Sequence, residues 1–483
     1  MTHSASRLTF YAFLFLLPLL AAFPLWGPGM VNTRGGGDSP FLLQRTLDMA
    51  ENLRHGIFPA RWMAHAAYDL GYPFFNHYAA LPFYLSGGLT ALGLSPLLAI
   101  QATQTLGFLL AALTLALWAR RVYGNRWATL LAVAAYTFAP FHLVNVYVRG
   151  DSLSEFWAFV WYPLILWTLD RAAEHPTLRR VTLAALSYAA LILTHNVSAL
   201  IFAPFALLYA AIQRVGESTQ QREGEKAEKR EGKSANRISR STQYVVRLIS
   251  PFLLAFLLTA WFWIPAIGET GYGQMGPEFT AGYFHYSNHF RGLNLVQRTF
   301  LFDYSVAGDA TAAGPFAMGG VQAALALLGA GALIWQIGES AKKRESESAT
   351  HILRSTQYAF ILFSLGLSTF MITPLSTPLW EHLPLLATTQ FPWRFLSVQA
   401  LFTAMATAAL ANRREGEKAE KRESDSRFAQ HAVPAFLIVC LALAALGALR
   451  PERLLITADD VTWDPLLLYE AFTGNIGTTI RYE

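Results

Sequence analysis

The sequence predicts an all-α, polytopic membrane protein with about eleven transmembrane helices and one further helix at the outer membrane boundary. Hydrophobic residues make up 53% of the 483 positions, whereas charged residues make up only 14%. The apolar residues form long runs and the charged residues lie between them, which is the pattern of spans and loops. The formal charge of +5 is attributed to membrane topology, so we predict no nucleic-acid partner.

Apolar runs of spanning length define the predicted transmembrane helices. The first follows Arg7 and covers 19 residues, so we predict a retained span rather than a cleavable signal peptide. The run at 78–94 is short and contains two adjacent glycines, and we assign it to the outer boundary helix. The predicted spans are 8–26, 97–118, 127–148, 153–169, 181–194, 197–213, 244–267, 321–337, 358–373, 395–411 and 432–449.

The basic residues orient these spans. With a cytoplasmic N-terminus, 26 of the 37 lysines and arginines lie on the inner side, as the positive-inside rule requires. The inner loops have mixed charge and low complexity, which predicts disorder. The tail is interpreted as the start of an outer domain that is missing or very small. The predicted organisation is one transmembrane domain at 1–449 with outer loops 27–77 and 268–320, inner loops 214–243, 338–357 and 412–431, and an outward tail at 450–483.

The first outer loop contains the first candidate for chemistry, Asp38. It follows three glycines and precedes Pro40, which places it on a turn just before a predicted helix. A carboxylate there can accept a proton from a hydroxyl group or hold a divalent cation against a phosphate. The alternative is a helix N-cap, which would stabilise the helix start by about 1 kcal/mol. The two roles are compatible.

Several motifs in the outer loops resemble a known class of membrane enzyme. GIFPARW at 56–62, GYPFFNHY at 71–78 and LPFYL at 81–85 follow an acid just after the first span. This order is similar to the first outer loop of GT-C-type glycosyltransferases. Together with TQFPWRFL at 389–396, it resembles a bacterial membrane-protein family named for a relation to 6-pyruvoyl-tetrahydropterin synthase. The resemblance covers roughly residues 8–450.

The resemblance implies a GT-C-like fold in the bacterial inner membrane, with the active face outward. It also implies transfer of a sugar from a polyprenyl-phosphate-linked donor, with Asp38 as the key catalytic acid residue of the first outer loop. The other expected partners are membrane lipids and an outer acceptor, such as a glycan, a lipid or a protein.

A second acidic motif lies in the short outer turn between the third and fourth predicted spans, where GT-C enzymes similarly carry one. Asp151 and Glu155 are four residues apart, so they share a helix face and repel unless a cation or Arg149 lies between them. Oxygen ligands suit Mg²⁺ or Mn²⁺, so we predict Asp151 and Glu155 as metal ligands and Arg149 as a substrate contact. The alternative is that Asp151 and Ser152 cap the next helix.

Two further outer motifs could bind substrate. His195 and Asn196 interrupt a long apolar run, and they would either bind phosphate or sugar hydroxyls or form a simple polar turn in water. Arg394 beside Trp393 suits a lipid phosphate, with the ring on an acyl chain or a sugar; the alternative is an aromatic-belt anchor. Arg61, followed by a tryptophan, is a weaker version of the same pattern.

The sequence predicts neither zinc nor pterin chemistry. His285 and His289 have a spacing of four residues but lack a third ligand in the usual places. The single cysteine, Cys440, lies in an apolar stretch, so no disulfide can form within the chain. Pterin synthases of the soluble class need a zinc-binding histidine cluster and a catalytic cysteine, and this chain has no such arrangement.

The leading hypothesis is therefore a membrane glycosyltransferase, with two alternatives. One is a non-catalytic protein that binds lipid or assembles a surface polymer. The other is a transporter, but transporters usually carry ionisable residues within their spans, and the predicted span interiors here are almost free of them. The enzyme hypothesis requires Asp38, Asp151, Glu155 and His195 to lie close together.

Overall fold

The computed structural model is mostly helical and describes residues 2–34, 38–228, 237–272, 280–306, 314–342, 349–412 and 425–474. The α-helices and strands in chain order are α1 (Thr2–Ala22), β1 (Met30–Val31), α2 (Pro40–Arg54), α3 (Ala66–Asp69), α4 (Phe74–His77), α5 (Leu81–Ala91), α6 (Pro96–Tyr123), α7 (Arg126–Thr137), α8 (Pro140–Tyr147), α9 (Leu153–Glu174), α10 (Leu178–Thr194), α11 (Asn196–Glu228), α12 (Arg237–Leu258), α13 (Ala260–Gly268), α14 (Gly320–Lys342), α15 (Ala349–Met371), α16 (Thr377–His382), α17 (Pro384–Ala387), α18 (Leu396–Ala408), α19 (Asp425–Leu446), β2 (Arg453–Leu454) and α20 (Trp463–Thr473).

Every predicted span coincides with a helix or with a bent pair of helices, but not every one is long and apolar enough to cross a membrane. Among the described residues, five helical segments pass that test: Leu8–Trp26, Pro96–Tyr123, Asn196–Gln213, Gly320–Ser340 and Pro392–Ala411. Three more pass only if each bent pair forms one span: α7 with α8, the end of α12 with α13, and α15 with α16. These five to eight candidate spans indicate a membrane-embedded protein.

The prediction of eleven spans is not confirmed. The remaining three predicted spans lie in α9, α10 and the apolar part of α19 (His431–Leu446). α10 has only 17 residues. α9 has 22 residues but carries acidic side chains near both ends, and Arg121 of α6 forms ion pairs with Asp170 and Glu174 there. Charged ends shorten the apolar part of α9 below the length that a bilayer requires.

The centre of the bundle is formed by α6, α7, α9 and α18, whose facing side chains are almost completely buried. α14 packs against α18 at an unusually short distance. A Cβ at Gly329 would lie 2.0 Å from the carbonyl oxygen of Ala406, so this contact requires glycine. Close backbone approach at small residues is the usual way in which helices associate within a membrane.

The predicted inner loops are described only in part. The chain continues as α11 up to Glu228 and resumes with α12 at Arg237, so the described parts of the loop 214–243 are helical. Residues 343–348 and 413–424, which belong to the other two predicted inner loops, lie outside the described ranges.

The first outer loop and the C-terminal segment fold together. β1 and β2 pair in antiparallel fashion, with Met30 opposite Leu454. α20 packs against α2 and α3, and the rings of Trp463 and His65 stack at 3.9 Å. The described part of the predicted tail, residues 450–474, thus packs against the first outer loop. α5 is a helix of 11 residues against α2, consistent with the predicted boundary helix.

Candidate functional site

The turn before α9 is packed directly against the start of α2. The amide of Thr33 donates to Ser39 Oγ at 2.6 Å, and the Thr33 hydroxyl donates to Asp151 Oδ1 at 3.3 Å. Between these groups lies Gly150, where a Cβ would be 2.9 Å from Ser39 Oγ and 2.9 Å from the carbonyl oxygen of Val31. A glycine at this position lets the two loops touch, and it brings the carboxylate of Asp151 into electrostatic range of Asp38.

Asp38 is half-buried and does not cap α2. The N-cap residue of α2 is Ser39, and it makes no side-chain capping bond. Burial raises the pKa of Asp38, the nearby charge of Asp151 raises this pKa further, and Arg45 opposes the shift. A carboxyl group with a raised pKa is better matched to accepting a proton near neutral pH. The capping alternative for the second motif fails as well, because Ser152 at the start of α9 makes no side-chain capping bond.

Glu155 lies in the first turn of α9 and is buried between two arginines. Arg149 Nη1 donates to Glu155 Oε2 at 2.6 Å and to Asn145 Oδ1 at 2.8 Å. Arg394 Nε approaches the same glutamate oxygen at 3.8 Å, and its Nη1 donates to the Thr389 carbonyl oxygen at 2.9 Å. Within the described part of the chain, Glu155 Oε1 and Arg394 Nε are buried without a hydrogen-bond partner.

The residues present do not fit a cation held between Asp151 and Glu155. Of the two alternatives that the sequence leaves open, the structure places Arg149 on Glu155, which neutralises its charge. No group of three or more His, Cys, Asp or Glu side chains in the described ranges is arranged to hold a metal ion. Two other carboxylates, Asp38 and Asp151, lie in electrostatic range of each other, and Arg45 is in electrostatic range of Asp38 as well.

His195 joins this group, whereas Asn196 does not. His195 is buried at the break between α10 and α11, in electrostatic range of Glu155, Arg149 and Arg394. Its Nδ1 accepts the Ser198 amide at 3.3 Å and lies 2.7 Å from the Ser198 hydroxyl, which assigns the ring proton to Nε2. Asn196 is exposed, and its Oδ1 accepts the Val197 amide. The predicted substrate-binding role of Asn196 stays a prediction.

Trp393 packs against one of the arginines. It is buried, and its ring contacts Phe316 at 4.2 Å, Phe391 at 4.8 Å and the Arg149 guanidinium at 5.1 Å. Its roles as a substrate contact or as an aromatic-belt anchor stay predictions. Its contact with Arg149 is a cation–π interaction.

Arg61 lies apart from the other predicted substrate-binding residues. It is half-exposed, and its Nη1 lies 3.5 Å from Glu269 Oε1, just beyond α13. Glu269 also accepts the amide group of Asn76 at 2.9 Å. Arg61 thus joins the first outer loop to the second long outer loop, and its observed partner is a carboxylate rather than a phosphate.

Two residues of the site were not predicted from the sequence, Arg45 and Tyr78. Arg45 of α2 is only 5% exposed, and its guanidinium lies 4.6 Å from the ring centre of Phe74. Tyr78 follows α4 and lies in electrostatic range of Arg45, Asp151 and Glu155. The only signal in the sequence is that Arg45 precedes Asp48 by three positions in the helix after Asp38, so that the two side chains share a helix face. Tyr78 is simply the last residue of a loop motif.

Six charged residues therefore form one charge cluster at the predicted outer end of the bundle. Three are arginines and three are acids, and they come from the first outer loop, the turn before α9 and the segment before α18. The charge cluster consists of Asp38, Arg45, Arg149, Asp151, Glu155 and Arg394.

Comparison with known proteins adds little to this geometry. No family model matches the chain. A protein of Lactococcus lactis subsp. cremoris (strain MG1363), named only as an uncharacterized protein, is 23% identical over 204 residues, which are 41% of this chain and 33% of that protein. The chain thus spans about a third of the length of the relative it matches. This similarity assigns neither a family nor an activity.

Proposed function

We propose that the protein is a membrane glycosyltransferase of GT-C type. It transfers a sugar from a polyprenyl-phosphate-linked donor to a hydroxyl group of an acceptor at the predicted outer face. The observation that carries the proposal is the charge cluster, in which an acid pair (Asp38 and Asp151) lies beside two buried arginines that share one carboxylate. The resemblance of the outer-loop motifs to GT-C enzymes supports the same conclusion.

The two arginines suit the phosphate of the donor. Arg149 and Arg394 both approach Glu155 Oε2, and the Nε of Arg394 has no hydrogen-bond partner in the described structure. Two buried guanidinium groups around one carboxylate are stabilised further when an anion enters, because an uncompensated buried charge is costly. The guanidinium fork also matches the oxygens of a phosphate in two-point fashion.

Asp38 suits the role of general base. In the proposed step the acceptor oxygen forms a bond to the anomeric carbon, and the bond from that carbon to the phosphate oxygen breaks. The acceptor proton moves to the carboxylate of Asp38, and the electron pair of the broken bond leaves with polyprenyl phosphate. Arg394 and Arg149 stabilise the negative charge on the leaving phosphate.

A divalent cation at the acid pair is the alternative to a base at Asp38. Asp38 and Asp151 would then hold Mg²⁺ or Mn²⁺, and the ion would supply charge neutralisation for the donor phosphate. Glu155 takes no part in such a site, since Arg149 already occupies its carboxylate.

The experiment that tests the proposal is a donor-cleavage assay. Purified protein in detergent receives a panel of polyprenyl-phosphate sugars, with and without Mg²⁺ or Mn²⁺, and mass spectrometry measures free polyprenyl phosphate. We expect release by the wild type and none by Asp38→Asn. The matched control is Asp459→Asn, because Asp459 is exposed and lies outside the charge cluster.

Two results would overturn parts of the proposal. The first is that the wild-type protein, eluting as a single folded species, cleaves none of the donors. That result would reject the glycosyltransferase activity and favour a protein that binds lipid phosphate. Equal cleavage by wild type and Asp38→Asn would support the glycosyltransferase activity and exclude Asp38 as its base.

A further inference from the structure

Residues of the C-terminal segment contact the chain on both sides of Asp38. On the N-terminal side, the Asn32 amide donates to the Glu452 carbonyl oxygen at 2.8 Å, next to the β1–β2 pair. The Arg34 guanidinium donates to the carbonyl oxygen of Arg450. On the C-terminal side, the ring of Phe41 meets the ring of Tyr469 edge-on at 5.8 Å. The short segment that carries Asp38 is therefore bounded by residues from the end of the chain.

A buried carboxylate anchors α20 to the first outer loop. Glu470 is 0% exposed, and its two oxygens accept the amides of Ala67 at 3.0 Å and Tyr68 at 2.9 Å. Ala67 and Tyr68 have φ angles of 58° and 57°, a left-handed conformation that costs a non-glycine residue about 1–2 kcal/mol. Charge-assisted bonds from both amides to one carboxylate hold that turn in place. The same bonds hold α20 against it.

The anchored face of α20 determines where Tyr469 lies. Trp463, Leu466 and Glu470 follow each other at helical spacing and point into the first outer loop. Tyr469 is the neighbour of Glu470 and is half-buried toward Phe41. Burial raises the pKa of Tyr469, and the negative charge of Asp38 raises this pKa further.

We infer that α20 is part of the candidate active site and that Glu470 is a positioning residue for the segment that carries Asp38. The inference rests on the proposed role of Asp38 as the base. Glu470 holds α20 against the turn at Ala67. α20 in turn places the ring of Tyr469 on Phe41, three residues after Asp38.

The first test measures docking of α20 without any enzyme activity. Cys440 is the only cysteine, so a Cys440→Ser background allows a single reporter, Asp38→Cys, to be labelled in detergent by a cationic methanethiosulfonate reagent. We expect Glu470→Ala to raise the labelling rate about tenfold, because it releases α20 from the turn at Ala67. The matched control is Leu468→Ala, since Leu468 is 70% exposed on the opposite face of α20.

A second reporter and a milder variant keep this test decisive. Arg34→Cys is a second labelling site, on the N-terminal side of Asp38. Glu470→Gln is the milder variant, because it retains the size of the side chain. Unchanged labelling of both reporters in a folded Glu470→Ala or Glu470→Gln protein would overturn the docking of α20. Faster labelling with no donor cleavage by wild type would retain the docked segment and reject the proposed function.

The second test examines the ring contact. Tyr469→Ala removes the ring that packs on Phe41, whereas Tyr469→Phe keeps it. We expect Tyr469→Ala to raise the labelling rate of Asp38→Cys and Tyr469→Phe to leave it unchanged. Equal labelling rates in the two variants would show that this contact does not hold the Asp38 segment.

Discussion

Gly150 and Ser39 touch so closely that a Cβ at position 150 would lie 2.9 Å from the Ser39 hydroxyl oxygen. One loop follows α8 and the other precedes α2, and their contact brings Asp151 into range of Asp38. The arginine of the Arg149-Gly150-Asp151 motif pairs with Glu155, whereas the aspartate faces the first outer loop. The glycine between them is therefore what joins the acid pair to the two arginines in one charge cluster.

The first prediction concerns this glycine. Gly150→Ala should separate the two loops, because the added methyl group meets Ser39 Oγ, the Val31 carbonyl oxygen and the Asn32 backbone within 3.0 Å. Overpacking of this kind destabilises a protein by about 1–3 kcal/mol. We expect donor cleavage to fall by at least tenfold while the protein still elutes as a folded species. Gly338→Ala is the control, since nothing lies within 4 Å of a Cβ there. Unchanged cleavage by Gly150→Ala would contradict the role of this contact.

The second prediction separates the two arginines. Arg149 bonds to Glu155 at 2.6 Å and to Asn145 at 2.8 Å, whereas Arg394 approaches Glu155 only at 3.8 Å. Arg149→Ala leaves Glu155 without its closest partner and should lower the free energy of unfolding by about 3–5 kcal/mol. Arg394→Ala should destabilise less and raise the KM for the donor by at least tenfold.

Thermal unfolding in detergent and steady-state cleavage check both arginine variants. Equal losses of stability in the two variants, with an unchanged KM in Arg394→Ala, would reject the assignment of Arg394 to the donor phosphate. Arg394→Lys should restore only part of the affinity, because a lysine cannot bind a phosphate in two-point fashion.

The third prediction concerns pH. The charge of Asp151 helps to raise the pKa of Asp38, so removing that charge should lower the pKa of Asp38. A general base works in its ionised form, and cleavage by Asp151→Asn should therefore persist to lower pH than cleavage by wild type. The measurement is the pH profile of kcat/KM without added metal, with Asp459→Asn as control. Complete loss of cleavage at every pH would instead assign Asp151 to cation binding.

The fourth prediction concerns a different acid, Asp48 in α2. It is 1% exposed, its Oδ1 accepts the His65 amide at 3.2 Å, and burial raises the pKa of Asp48 to about 7. The unfolded chain has an ordinary aspartate pKa of about 3.9, so the folded protein binds a proton between these values. The stabilising contribution of this proton is complete below the unfolded pKa and disappears as the pH rises through about 7.

Asp48→Asn should therefore be more stable than wild type at alkaline pH, by on the order of 4 kcal/mol, and similar to it at acidic pH. The stability of Asp48→Asn should still depend on pH to a smaller extent, because His65 also titrates. Burial lowers the pKa of His65, but the hydrogen bond that its ring donates to Asp69 and the charges of the nearby acids outweigh burial and raise the pKa overall. Apparent melting temperatures between pH 5 and pH 9 provide the check, with the exposed Asp464→Asn as control. Parallel curves for wild type and Asp48→Asn would reject a proton on Asp48.

The positions of the helices followed from local pattern alone. Apolar runs such as 97–118 and 197–213 became helices of spanning length, because apolar composition over about 20 residues is enough to specify a span. Runs with charged ends, such as the one in α9, are not confirmed as spans. The candidate acids Asp38, Asp151 and Glu155 were found because loops between spans concentrate the polar residues on one side of the membrane.

Only the tertiary structure decided which of those residues meet. Trp393 is enclosed by Phe316 and Phe391, which its place in the sequence does not indicate. The contact between Glu470 and the amide of Ala67 joins residues 403 positions apart. Local periodicity determines where a helix begins and ends, because its hydrogen bonds lie within a few residues. Contacts between loops depend instead on how helices far apart in the chain pack, and that packing placed the ring of Tyr469 against Phe41, three residues after Asp38.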